Sequence, residues 1–193
     1  MNPATCSSGN YEYNKLPLSL EELYKGCIIK FRNSRTVFDY RGATNTVEEI
    51  LKIEVEPGWK KDTVITFPGK GNQVRRKSAA TDLVIVVEEK PHPIFKREQN
   101  DLIITHKISL LEALTGKTIK VTMLDGREIE VSVTDIVKPD TEIVVQDEGM
   151  PSASKPGKKG NLRINFDIIF PSQLSTLQKC QLKKIFSEVD SYS

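Results

Sequence analysis

A chain of 193 residues with 38% hydrophobic and 28% charged residues has the composition of a folded protein, with material for one large domain or two small ones. Its 28 Lys and Arg nearly cancel its 26 Asp and Glu, and a formal charge of +2 supplies no global field to draw it onto nucleic acid or an anionic membrane. The longest apolar run, Leu83 to Val87, falls far short of the roughly 20 residues that span a bilayer, so no transmembrane helix is expected.

From the start of the chain, Met1 to Lys15 is polar, has no apolar stretch behind a basic start, and reads as a loose tail rather than a secretory signal. Ser19-Leu-Glu-Glu-Leu-Tyr-Lys-Gly26 is a capping box, with Ser19 at the N-cap, Glu22 three residues on, and a glycine closing one or two helical turns. In Cys27-Ile-Ile-Lys-Phe31 an apolar residue recurs at every second position, the period of a strand. A polar loop is expected from about Asn33 to Thr46. Strands follow near Val47 to Val55, Val64 to Phe67 and Asp82 to Val87, with turns at Pro57-Gly58 and Pro68-Gly69.

The pattern then starts again. After a strand from Leu102 to Ile108, Ser109-Leu-Leu-Glu-Ala-Leu-Thr-Gly116 repeats the capping device ninety positions on, and Lys117-Thr-Ile-Lys-Val121 repeats the strand behind it. Asp62-Thr-Val-Ile65 and Gly71 are echoed by Asp140-Thr-Glu-Ile143 and Gly149 at the shorter offset of 78. The difference is assigned to the hairpin connection: Asp125-Gly126 reads as a two-residue type I′ turn, against the long polar loop of the first copy. Strands near Ile129 to Val133, Glu142 to Val145 and Asn161 to Phe166 complete the second copy, with Gly149 to Gly160 as an exposed loop. Beyond Pro171, Ser175-Thr-Leu-Gln178 is a third capping signature, and Leu182, Ile185, Phe186 and Val189 fall on one helical stripe. That stripe must bury against its own β-domain or against a second copy of the chain.

The expected fold is therefore mostly β. Two consecutive small β-sandwich subdomains, over 16–90 and 91–171, follow a tail at 1–15 and precede a helix at 172–189 and a tail at 190–193.

Candidate chemistry is sparse. The three cysteines, Cys6, Cys27 and Cys180, lack zinc-site spacing, and the expectation is no metal, no cofactor and a reducing compartment, the cytosol or the nucleus. Only His92 and His106 could act as a base, and His92 sits in a Pro-His-Pro bend, so no catalytic set is expected. Gly69-Lys-Gly71 has Val74 in place of a third glycine and reads as a turn. The basic runs Arg75-Arg76-Lys77 and Lys155, Lys158, Lys159 have no interleaved aromatics to stack bases, and read as solvated loops rather than as the face of a nucleic-acid-binding β-protein.

Taken in order, Leu-Glu-Glu-Leu-Tyr-Lys-Gly26, Glu-Pro-Gly-Trp-Lys60, Glu-Lys-Pro-His-Pro-Ile-Phe-Lys-Arg97, Asn-Asp-Leu102, Leu-Asp-Gly-Arg127, Glu-Gly-Met-Pro151 and Phe-Pro171 resemble the C-terminal region of type II DnaJ-like proteins, over about Leu16 to Phe186. The resemblance implies a co-chaperone module that holds unfolded polypeptides and cooperates with the seventy-kilodalton heat-shock chaperone. It implies a shallow client depression on the first subdomain, lined by Ile29 and Phe31 on one strand face and by Ile85 across the sheet. It also implies binding of the partner's acidic Glu-Glu-Val-Asp tail through Lys30, and homodimerisation through Leu182, Ile185, Phe186 and Val189. Asn33 stands where the family usually has an apolar residue, Ile29 where it has a second basic one, and Glu48 and Glu49 where some relatives have a lysine. The zinc module of type I relatives, the His-Pro-Asp loop of a J domain and a Gly/Phe-rich linker are not among these 193 residues. An alternative role is a regulator without a J domain that forms mixed dimers or competes with longer relatives.

Overall fold

The computed structural model describes residues 11–75 and 78–190, apart from the side chains of Val189 and Asp190. Of the sequence expectations, the tail up to Asn10 with Cys6, the pair Arg76-Lys77, the Val189 side chain and the tail from Tyr192 with its neighbours 191 and 193 lie outside the described residues.

In chain order the elements are β1 (Tyr11–Leu18), α1 (Leu20–Lys25), β2 (Cys27–Phe38), β3 (Thr44–Val55), β4 (Val64–Phe67), β5 (Asp82–Glu89), β6 (Lys96–Glu98), β7 (Asp101–Ser109), α2 (Leu110–Thr115), β8 (Lys117–Thr122), β9 (Glu128–Val133), β10 (Glu142–Val145), β11 (Leu162–Ile169) and α3 (Thr176–Asp190). The chain is mostly β, as expected. The tail expected to reach Lys15 is shorter, because Tyr11 to Lys15 already belongs to β1, which lies parallel to β5.

The repeat seen in sequence is a repeat of topology. In the first half β5 lies between parallel β1 and antiparallel β4; in the second, β11 lies between parallel β7 and antiparallel β10, with β6 added outside β7. Each half also carries a hairpin, β2 with β3 and β8 with β9. Both short helices start from the same device: Ser19 Oγ accepts the Glu22 N–H while Glu22 accepts the Ser19 N–H at 2.7 Å, and Ser109 and Glu112 do likewise, the latter at 2.9 Å. Lys117 and these capping bonds pull the Glu112 carboxyl down to about 2.

The two hairpins differ in a way the sequence reading misassigned. Asn33 to Phe38 and Thr44 to Thr46 are strand, not loop, and the connection is only Asp39 to Ala43. Both turns make the same bonds: Gly42 N–H donates to Asp39 O and Asp39 N–H to Ala43 O, while Gly126 N–H donates to Met123 O and Met123 N–H to Arg127 O. Each is closed by a glycine at positive φ, 89° in Gly42 and 91° in Gly126, with Asp125 itself outside that region. This is the three-residue form of hairpin connection, in place of the expected type I′ turn, which needs both central residues at positive φ. The shorter repeat offset comes from strand length, since β2 and β3 have 12 residues each and β8 and β9 have 6.

One apolar cluster runs through both halves, with Leu18, Leu23, Ile53, Leu83, Ile85 and Val87 from the first and Leu102, Ile119, Leu162 and Ile164 from the second. Polar bonds fix the junction. Arg97, its side chain 3% exposed beside Glu89, donates to the carbonyls of Trp59 (2.8 Å), Gly58 (3.3 Å) and Gln99 (2.7 Å). Gly58, at φ 89°, has no room for a side chain, because a Cβ would meet Pro151 O at 2.5 Å and Ala153 N at 2.7 Å. Tyr24 and Lys159 also meet across the halves, with Lys159 Nζ 2.7 Å from the phenol oxygen.

The third capping signature is formed too, with Gln178 N–H donating to Ser175 Oγ and Ser175 N–H to the Gln178 side chain. Beyond it, α3 does not dock on the β-structure: Leu182, Ile185 and Phe186 are 36%, 56% and 45% exposed. The intramolecular option for the apolar stripe is therefore not the one adopted.

Because Arg97 is a buried cation satisfied by three carbonyls, Arg97→Leu should lower stability by about 3 kcal/mol, the cost of breaking such a set from one side. Denaturant titration of the two proteins measures it; a loss within about 0.5 kcal/mol, typical of a surface change, would mean that the junction does not depend on this residue.

Candidate peptide-binding edge

The open backbone edge of β2 follows from its register. The β2–β3 pairing runs without a bulge from Cys27↔Val55 to Phe38↔Thr44, so backbone groups alternate strictly between the partner strand and the outside. Which parity points outward is fixed at the distal end: Thr36 N–H donates to Asn72 Oδ1 at 2.6 Å, Phe38 N–H to Gln73 Oε1 at 2.9 Å, and Thr36 O accepts the Gln73 N–H at 2.9 Å. Ile28, Lys30, Arg32 and Ser34 share that parity. β2 pairs with β3 alone, and among the described residues no hydrogen bond reaches the outward backbone groups of these four.

The side chains alternate as well. Cys27, Ile29 and Phe31 point inward and are half-buried against the core cluster, while Ile28, Lys30, Arg32 and Ser34 are exposed. Where the strand leaves the core, the inward positions turn polar. Asn33, only 3% exposed, donates to Lys70 O at 2.7 Å and to Glu49 Oε1 at 3.3 Å; Glu49 also meets Lys70 Nζ at 2.6 Å and Arg35 Nε at 3.3 Å. The Lys70 hydrogen bond, with help from Asn33 and Arg35, holds the Glu49 carboxyl below the usual glutamate range. This polar cluster and the Asn72-Gln73 brace carry the long hairpin beyond the apolar core, and both escaped the sequence reading. The signal was present in the parity of the strand, where Ile29 and Phe31 give way to Asn33 and Arg35.

The proposed lining divides in two. Ile29 and Phe31 lie together on one face of β2. Ile85 is elsewhere: it sits in β5, which pairs with β1 and β4 and not with β2, and it is 0% exposed. It belongs to the core beneath, not to a surface that a client could touch across the same sheet. Lys30 is exposed opposite Lys52, whose ammonium is engaged by Glu54 at 2.6 Å. Neither Lys30 nor Arg32 has an ion-pair partner among the described residues. Glu48 is exposed opposite Ser34, whereas Glu49 is occupied by the cluster just described.

The second half offers the same strand in a closed form. Ile119 and Val121, which the repeat aligns with Ile29 and Phe31, are 1% and 5% exposed. His92 is tied into the fold: its Nδ1 accepts the N–H groups of Ile94 and Phe95, which leaves the ring proton on Nε2, 3.0 Å from Glu21. Among the described residues no helix is long and apolar enough to cross a membrane and no cluster of His, Cys, Asp and Glu could hold a metal.

The family profile described as the DnaJ C terminal domain matches residues 13–171. The human DnaJ homolog subfamily B member 13 is 41% identical over 170 residues, 88% of this chain and 54% of that protein. The Drosophila melanogaster DnaJ protein homolog 1 is 40% identical over 169 residues, covering 87% and 50%, and the Saccharomyces cerevisiae protein SIS1 is 32% identical over 171, covering 89% and 47%. The chain thus spans about half the length of the curated relatives it matches.

Burial separates two positions that the resemblance places in one depression. Ile85→Asp should cost at least about 4 kcal/mol, since it removes a filled core position and buries a carboxyl. Phe31→Asp, at a half-buried position, should cost about 2 kcal/mol and leave a cooperative melt. Thermal melting of both variants checks the order, and equal destabilisation would mean that Phe31 is a core residue.

Proposed function

The chain belongs to the DnaJ C-terminal domain family, and from that membership we propose that it is the client-holding module of a co-chaperone, binding extended segments of non-native polypeptides along the open edge of β2. The observation that carries this reading is the coincidence of unpaired outward backbone groups at Ile28, Lys30, Arg32 and Ser34 with half-exposed apolar side chains at Ile29 and Phe31. A client segment adds a strand through main-chain bonds that do not depend on its sequence, while its apolar side chains meet Ile29 and Phe31, giving broad and weak selectivity. Ile85 supports this face from the core and takes no part in contact. The exposed cations Lys30 and Arg32 give the same edge a preference for acidic segments, which is the chemistry needed to receive the acidic tail of the seventy-kilodalton chaperone.

Two units, 16–90 with the client edge and 91–171 as its support, carry α3 as a dimerisation helix. Its exposed Leu182, Ile185 and Phe186 form an apolar stripe that an isolated helix of this length cannot leave in water, and a second copy supplies the same stripe in return. Pairing gives a dimer with two client edges, and a long unfolded chain that reaches both is held more tightly than either edge holds it alone. Such a module works in the cytosol with no cofactor and no chemistry of its own.

The test compares the intact chain with one ending at Pro171. Intact protein should sediment as a dimer and suppress aggregation of a chemically unfolded client without nucleotide; the shortened protein should be monomeric and need a markedly higher concentration for the same effect. An intact chain that stays monomeric at high micromolar concentration removes the role of α3, and failure to suppress aggregation at any concentration removes the client-holding function.

A further inference from the structure

We propose that Ser78 is a phosphorylation site for an arginine-directed serine kinase. Among the arginines of the chain, only Arg41 and Arg75 stand three residues before a hydroxyl side chain, at Thr44 and Ser78. The two settings differ. Thr44 follows a single cation and is the first residue of β3, paired with Phe38 in the hairpin ladder. Ser78 follows three consecutive basic residues, Arg75-Arg76-Lys77, in the segment between β4 and β5. A kinase that reads basic residues upstream of its acceptor does so with carboxylates in its substrate groove, so cations clustered before the hydroxyl are what it recognises.

The local structure permits the access that such an enzyme needs. Val74 is 68% exposed, and Arg75 and Ala79 are exposed beside it. With Tyr11, Val74 and Arg75, Ser78 lines an open depression of ≈ 590 Å³. The Ser78 hydroxyl donates to Arg75 O at 2.9 Å and accepts the Arg75 N–H at 3.1 Å, and the Ser78 N–H also meets Arg75 O at 3.0 Å. Both bonds of the hydroxyl are to one exposed residue, Arg75, so freeing it is a low-cost local event. In the transfer, Ser78 Oγ attacks the γ-phosphorus of ATP, the bond from that phosphorus to the β,γ-bridging oxygen breaks, ADP leaves, and the hydroxyl proton passes to the kinase base. The product ester can keep the bond from the Arg75 N–H and gains the Arg75 guanidinium as an opposite charge.

The position of this site is informative. Gln73 joins Ser78 to the distal end of β2: its side-chain N–H donates to Ser78 O at 2.8 Å, its side-chain oxygen accepts the Phe38 N–H, and its backbone N–H donates to Thr36 O. A phosphate there puts a dianion in the loop that closes one end of the open β2 edge.

The experiment uses the full chain, ATP and a purified arginine-directed serine/threonine kinase of the cyclic-nucleotide-dependent type, with the phosphate counted by intact mass and located by fragmentation. One phosphoryl group per chain is expected, on Ser78. Ser78→Ala should lose it, and Arg75→Ala should slow its incorporation about tenfold, the effect of one charge-assisted contact. Both variants should melt like the parent. Phosphate on Thr44 or another residue, no incorporation, or a rate unchanged in Arg75→Ala would each overturn the proposal, and none of these results bears on client binding.

Discussion

A two-stranded hairpin packed on a sandwich leaves one backbone edge of each strand without a partner, and in β2 that edge stays open from Ile28 to Ser34. Unpaired N–H and C=O groups in a row are a template for any extended chain, and proteins ordinarily shield them. Here the shielding is partial and placed. Asn72 and Gln73 occupy the backbone groups of Thr36 and Phe38, and the cluster of Asn33, Arg35, Glu49 and Lys70 holds the strand straight as it leaves the core. What remains is a short open edge with charged residues outward, Lys30 and Arg32, and apolar ones inward, Ile29 and Phe31. The outward charges disfavour pairing of two such edges with each other.

The contrast between the halves gives this arrangement its meaning. The same device, a capped helix turn, a hairpin and a sheet centred on one strand between a parallel and an antiparallel neighbour, is used twice, yet in the second copy the hairpin is half as long and its inward residues Ile119 and Val121 are sealed. The first hairpin is longer by six residues on each arm, and its distal part is tied by polar bonds to the segment after β4. The bonds of Arg97 and the close approach at Gly58 join the second half to the first. The two copies of one topology therefore differ in hairpin length, and the open strand edge lies on the longer copy.

Much of this was legible in the sequence. The capping boxes at Ser19, Ser109 and Ser175 and the alternation in Cys27 to Phe31 are local signals with one physical solution each, and the structure forms them all. The hairpin turns were read less well because Asp-Gly suits more than one turn, and the choice depends on the register of flanking strands that are not visible locally. The stretch from Asn33 to Thr46 looked like loop because its inward positions are polar, and only the Lys70 carbonyl and Glu49, distant in sequence, satisfy Asn33. Ile85 was assigned to a surface because sequence places a strand without naming its neighbours; once β5 is seen between β1 and β4, the apolar run from Leu83 to Val87 is that of a central strand.

Residue-resolved amide hydrogen exchange in the presence and absence of an extended apolar client peptide tests the edge most directly, because it reports which backbone groups gain a partner. The amides of Ile28, Lys30, Arg32 and Ser34 should become protected on binding, while those of Ile29 and Phe31, already turned toward β3, change little. Protection that appears instead along Thr118, Lys120 and Thr122 of β8, or equally on both parities of β2, would contradict strand addition at the β2 edge.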